Sequence, residues 1–95
     1  MGQDELIRRG FKVVGRVQGV GFRWWTQRLA TRLGVVGWVR NDPDGSVVVQ
    51  AVASAAALER MEEALGDGPV GARVDRVERI SADQGPQPDG FRIEA

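Results

Sequence analysis

The sequence predicts an α+β fold: an antiparallel sheet of four strands plus a short fifth, with two helices packed on one face. Three observations predict it. The segments 11–17, 35–41 and 46–53 are rich in β-branched residues and read as strands. Two other segments, one opening at Phe22 and one after Ser54, space their apolar residues by three and four, the period of a helix face. Glycine, proline and aspartate punctuate the joints, so the order is βαββαβ.

The elements follow in chain order. Residues 1–8 are polar and read as a frayed start, and Phe11 to Val17 is the first strand. The five residues after it, QGVGF, are glycine-rich and too short for a linker. Phe22, Trp25, Leu29 and Leu33 then form one helical face, and Gly34 is placed to cap the helix. Val35 to Asn41 and Ser46 to Ala53 are strands joined by Asp42-Pro43-Asp44-Gly45, where Pro presets φ and Gly accepts a positive one. Ser54 caps a second helix that buries Leu58, Met61 and Leu65 and is expected to stop at Gly66. Between Arg73 and Ile80, apolar residues recur at Val74, Val77 and Ile80, a spacing of three that fits neither element cleanly. A bulged strand accommodates it and gives the first strand a partner. Asp83 to Gly90 is a loop, and Phe91-Arg92-Ile93 a short last strand. Two split βαβ units of this kind make a ferredoxin-like sandwich, read here as one domain over residues 1–95.

Fold does not decide function, so the chemistry must come from particular residues. Thirteen basic and thirteen acidic residues cancel, so the chain as a whole has no pull on nucleic acid or membrane, and anion binding has to be local. There is no cysteine and no histidine. That excludes thiolate chemistry, Ser-His-Asp triads, phosphohistidine and the ordinary zinc ligands. No apolar run approaches the ~20 residues of a membrane span. The start, Met1-Gly2-Gln3-Asp4-Glu5-Leu6, is too acidic for a signal peptide and lacks the Ser or Thr of a myristoylation signal at Leu6. The expected location is the cytoplasm.

The segment Gly15-Arg16-Val17-Gln18-Gly19-Val20-Gly21-Phe22-Arg23 lies between a strand and a helix start. Glycines there let successive N–H groups point into one concavity, and the helix adds unpaired N–H groups and the positive end of its dipole. Arg23, in the first turn, can grip a phosphate through two parallel hydrogen bonds. A tight turn beside a solvated arginine explains the same residues. The segment is neither a Walker A loop nor a dinucleotide fingerprint, because no Gly-Lys-Ser/Thr follows and Trp24 occupies the third glycine position. Asn41 closes its strand with an amide that both donates and accepts, suited to holding a water, though Asn is also common where turns begin.

Taken together, GRVQGVGFR and GWVRNDPDGSV resemble the two signature segments of the acylphosphatase family. The resemblance runs over nearly the whole chain, through the first helix, the hairpin, Leu58 and Phe91-Arg92-Ile93. It implies an acylphosphatase-like domain that hydrolyses acyl phosphates to carboxylate and phosphate by direct attack of water. It implies that Val17, Gln18, Gly19, Val20, Gly21, Phe22 and Arg23 bind the phosphoryl group and that Arg23 and Asn41 are catalytic, Asn41 by positioning water. No metal, cofactor or covalent intermediate is implied. The expected partner is a small acyl phosphate, with no nucleic acid or membrane, and the protein is expected to be a monomer. Two positions depart from the family pattern: Ala53 stands where glycine is common, and Asp42 brings a carboxylate next to Asn41.

Two other classes compete. Ferredoxin-like domains also bind RNA or small anions without catalysis, but a plain aromatic pair on the central strands is missing. A relative directed at carbamoyl phosphate, like the acylphosphatase-like domain of hydrogenase-maturation enzymes, is the other. Asp42-Pro43-Asp44-Gly45-Ser46 also looks like an aspartyl-phosphate motif, but the chain is too short for that fold and a hairpin turn explains it. Trp25 and Trp38 are expected in the core and Trp24 half-exposed beside the loop, where it could stack on a ligand.

Overall fold

The computed structural model describes residues 5–95. Its elements are β1 (Ile7–Arg16), α1 (Phe22–Leu33), β2 (Val36–Asn41), β3 (Val47–Ala53), α2 (Ala55–Asp67), β4 (Arg73–Ile80) and β5 (Phe91–Ile93). The strands form one sheet in the order β4-β1-β3-β2-β5. The four longer strands pair antiparallel, while β5 runs parallel to β2, so the sheet is mixed rather than purely antiparallel. The cause is the connection after β4: β4 and β5 lie at opposite edges, and residues 81–90 carry the chain across the sheet between them.

Both helices cover one face. Leu29 and Ala30 of α1 and Leu58, Met61 and Leu65 of α2 pack on Phe11, Val13, Val39, Val47 and Val49 of the sheet. Gly34 caps α1 in the left-handed region at φ 74°, as expected. At the start of α2, the Ser54 hydroxyl accepts a hydrogen bond from the Ala57 N–H at 3.2 Å.

Four details correct the sequence reading. The strand β1 opens at Ile7, not Phe11, so residues 7 and 8 are not frayed; residues 1–4 lie outside the described part. Partners on β3 extend to Ala53 opposite Ile7, which itself packs on the core. Helix α2 passes through Gly66, which is exposed, and stops at Gly68, whose φ of 68° turns the chain and whose N–H bonds the Ala64 carbonyl at 3.0 Å. Trp38 is not core. Gly37 and Val39 point at the helices, so Trp38 lies on the opposite face, half-buried under Asp83, to which its Nε1 donates at 3.3 Å. The last correction is the mixed sheet itself.

The three-residue spacing in β4 has a structural cause. Val14 pairs with Arg76 but Gly15 with Val74, so Asp75 is an extra residue with no partner on β1. The bulge shifts the alternation by one and brings Val74 and Val77 onto the helix side together, where both pack on the core. Ile80, three further on with no second bulge, falls on the other face and sits against Gly10.

Candidate active site

The segment between β1 and α1 is shaped by two glycines. Gly19 and Gly21 both have φ of 77°, a conformation that costs other residues about 1–2 kcal/mol. Gly21 is also the residue before α1, and its carbonyl accepts from the Trp25 N–H at 3.0 Å. No side chain caps this helix and no acidic residue sits in its first turn. The first N–H groups of α1 therefore have no internal partner, and the positive end of the helix is uncompensated. Both are what an anion requires.

Val17, Gly19, Gly21, Phe22, Arg23, Trp24, Asn41 and Ile93 line one open cleft of about 210 Å³ at this helix end. Arg23 is half-buried there, with Nη1 donating to the Glu94 carbonyl at 3.1 Å. That bond fixes the guanidinium from behind and leaves the rest of its donor fork for a ligand. Arg23 takes part in none of the ion pairs among the described residues. Asn41 reaches the cleft from the end of β2, where it pairs with Val47 of β3. Among the described residues, no carboxylate lines the cleft.

Two strand ends from different parts of the chain are joined by one side chain. Gln18 Nε2 donates to the carbonyls of Asp42 at 2.8 Å and Ser46 at 2.9 Å, on either side of the β2–β3 turn. This ties the loop to the hairpin end that carries Asn41.

The Acylphosphatase family model matches residues 9–93. The chain belongs to the acylphosphatase family. It is 52% identical over 90 residues to the acylphosphatase of Nitratidesulfovibrio vulgaris strain Hildenborough, covering 93% of this chain and 90% of that one. The crystal structure of acylphosphatase from Bacillus subtilis superposes with a TM-score of 0.87 at 32% identity, over 96% of this chain and all of that one (100%). The acylphosphatase structure from Coxiella burnetii gives 0.84 at 31% identity, over 99% and 100%. The fold is thus the ferredoxin-like α+β sandwich of acylphosphatases, and the chain is an enzyme that hydrolyses acyl phosphates. The alternative of a non-catalytic binding module has no support among these likenesses.

Of the residues singled out in the sequence, Val17, Gly19, Gly21, Phe22, Arg23 and Asn41 meet at this cleft, with Trp24 beside them. Gln18 and Val20 belong to the same loop but do not line it. The Gln18 amide turns to the hairpin, and Val20 packs against the core. Sequence reasoning missed the Glu94 carbonyl and Ile93, which arrive from the far end of the chain. Neither departure from the family pattern is among the residues lining the cleft. Asp42 aims its carboxylate at Arg40, 3.8 Å away, rather than into the cleft. Ala53 is buried, and among the described residues no non-glycine residue, Ala53 included, has a positive φ, so glycine is not needed there. Asp44 is held in its turn by Lys12 at 2.6 Å and by Ser46, outside the cleft. No described helix is long and apolar enough to cross a membrane.

Proposed function

We propose that the cleft binds the phosphoryl group of an acyl phosphate between the loop amides and Arg23, and that Asn41 orients the attacking water. The observation that carries this is the meeting of Gly19, Gly21, Arg23 and Asn41 at one helix N-terminus. The water oxygen forms a bond to phosphorus as the bond from phosphorus to the acyl oxygen breaks. The carboxylate leaves with the electron pair. One water proton passes to a phosphoryl oxygen, so the products are carboxylate and inorganic phosphate. A carboxylate is a good leaving group, and the chain supplies no histidine or cysteine to act as acid or nucleophile. Positioning and preorganised donors carry the acceleration, without metal or covalent intermediate. The protein acts as a monomer in the cytoplasm on a small-molecule substrate, not on nucleic acid or membrane.

The test is turnover of benzoyl phosphate in EDTA. Wild type hydrolyses it. Arg23→Ala loses about 10²–10³ in kcat/KM and its affinity for inorganic phosphate, the scale of removing one oxyanion donor. Asn41→Ala loses kcat while inorganic phosphate still inhibits. Full activity in both folded variants overturns the assignment.

A further inference from the structure

Beyond the phosphoryl site, the cleft has an apolar wall that the hydrolytic step does not use. Leu6, Trp24, Val70 and Ile93 are the exposed large hydrophobics among the described residues. Leu6 precedes β1 and Val70 lies between α2 and β4, both outside the cleft, whereas Trp24 and Ile93 both line it beside Arg23 and Asn41. Trp24 is 59% exposed and Ile93 40%, so each leaves much apolar area in water. Neither belongs to the core cluster: Trp24 lies outside it, and Ile93 closes the three-residue edge strand β5 opposite Val39. The Arg28 guanidinium lies over the Trp24 ring, 4.8 Å from its centroid. This contact steadies the ring, as a cation over an aromatic face does, and still leaves more than half of the residue open to solvent. It accounts for the pose of Trp24 but not for the presence of Ile93 in the same cleft.

We infer that Trp24 and Ile93 receive the acyl group of the substrate. The enzyme therefore favours acyl phosphates whose acyl group is flat or bulky and apolar over acetyl or carbamoyl phosphate. The inference rests on the phosphoryl placement proposed above. Trp24 and Ile93 line the same cleft as Arg23, so a phosphoryl group held there by Arg23 and the helix end has its acyl substituent beside the indole. Offset or edge-on packing of an aroyl ring on that indole adds specific attraction to simple burial. An acetyl or carbamoyl group has too little apolar surface to gain from either.

The test compares kcat/KM for benzoyl and acetyl phosphate in wild type, Trp24→Ala, Trp24→Phe and Ile93→Ala. In Trp24→Ala the benzoyl-to-acetyl ratio falls about tenfold, mainly through the KM for benzoyl phosphate. Trp24→Phe keeps most of the ratio, and Ile93→Ala lowers it about threefold. The inhibition constant of inorganic phosphate is the control, because it reads the phosphoryl site alone and should stay within about twofold in Trp24→Ala. A ratio that does not change in Trp24→Ala, with phosphate inhibition intact, overturns the inference and leaves the proposed function standing. A ratio lost only together with phosphate inhibition also overturns it, since Trp24 then shapes the phosphoryl site. If wild type turns over neither compound, the proposed function itself fails.

Discussion

Gln18 offers the sharpest test of how the site is built. Its amide spends both N–H groups on the carbonyls of Asp42 and Ser46, at 2.8 and 2.9 Å. Each carbonyl also accepts a backbone bond, from Gly45 and Asp42 respectively, so neither is orphaned when Gln18 is removed. Gln18→Ala therefore loses two part-buried hydrogen bonds and no more, about 2 kcal/mol in total. Gln18→Glu keeps the shape but sets a carboxylate against two carbonyl oxygens, exchanging two donors for none. It should be the less stable variant at pH 7 and should recover as the pH falls and the introduced carboxyl gains a proton to donate. Expected losses for Gln18→Ala are about 2 M in urea midpoint, at an m of about 1 kcal/mol/M, and about 10 °C in Tm. Its kcat for benzoyl phosphate should fall further than its affinity for inorganic phosphate, because the hairpin carrying Asn41 is released while Arg23 is not. Urea unfolding of both variants at pH 7 and pH 4.5 decides the matter. A Gln18→Glu protein as stable as Gln18→Ala at pH 7, with no gain at low pH, refutes the bridge.

Three further outcomes are expected. At Gly37, with φ of 144°, a Cβ would lie 1.8 Å from the Gln50 carbonyl oxygen of β3, whereas one at Gly45 would meet nothing within 4 Å. Gly37→Ala should cost more than about 3 kcal/mol and yield little folded protein, and Gly45→Ala only about 1–2 kcal/mol, as thermal melts would show. Leu58 is fully buried in the core, so Leu58→Ala should cost about 2–5 kcal/mol in chemical denaturation without altering KM. The hydrogen bond from Lys12, and then those from Ser46, hold the Asp44 carboxyl well below the usual carboxylate range. A carboxylate lowered in the folded state contributes stability above its unfolded pKa of about 3.9 and loses it as the pH falls toward the folded value. Wild type should thus exceed Asp44→Asn in stability at pH 7, and the gap should begin to narrow as the pH falls below about 4 and go on narrowing toward pH 2. A constant gap down to pH 2 contradicts this.

The parts of the fold legible in the sequence were those with a local period. The helix faces of Phe22, Leu29, Leu58, Met61 and Leu65 declare themselves at spacings of three and four. The face of Trp38 did not, because Val36 to Val39 is apolar on both parities and a buried glycine counts as space rather than as a side chain. Gly66 and Gly68 are indistinguishable by composition; only the positive φ at Gly68 marks the helix end. The parallel pairing of β5 is a contact between distant segments with no local signature. In the site, Gly19, Gly21 and Arg23 were legible because a strand-to-helix turn concentrates N–H groups at one point. Asn41 became legible only beside that loop. The Glu94 contact was hidden because its acceptor is a main-chain carbonyl, which every residue has.

That contact couples the site to the time course of folding. Arg23 and Glu94 are 71 positions apart, and Glu94 is anchored by its N–H on the Val39 carbonyl at 2.8 Å once β5 lies beside β2. Closing so long a separation is slow relative to helix and hairpin formation. Until the final strand docks, Arg23 lacks this brace. With Arg23 as the phosphate clamp proposed above, enzyme activity should return no earlier than the docking of the final strand.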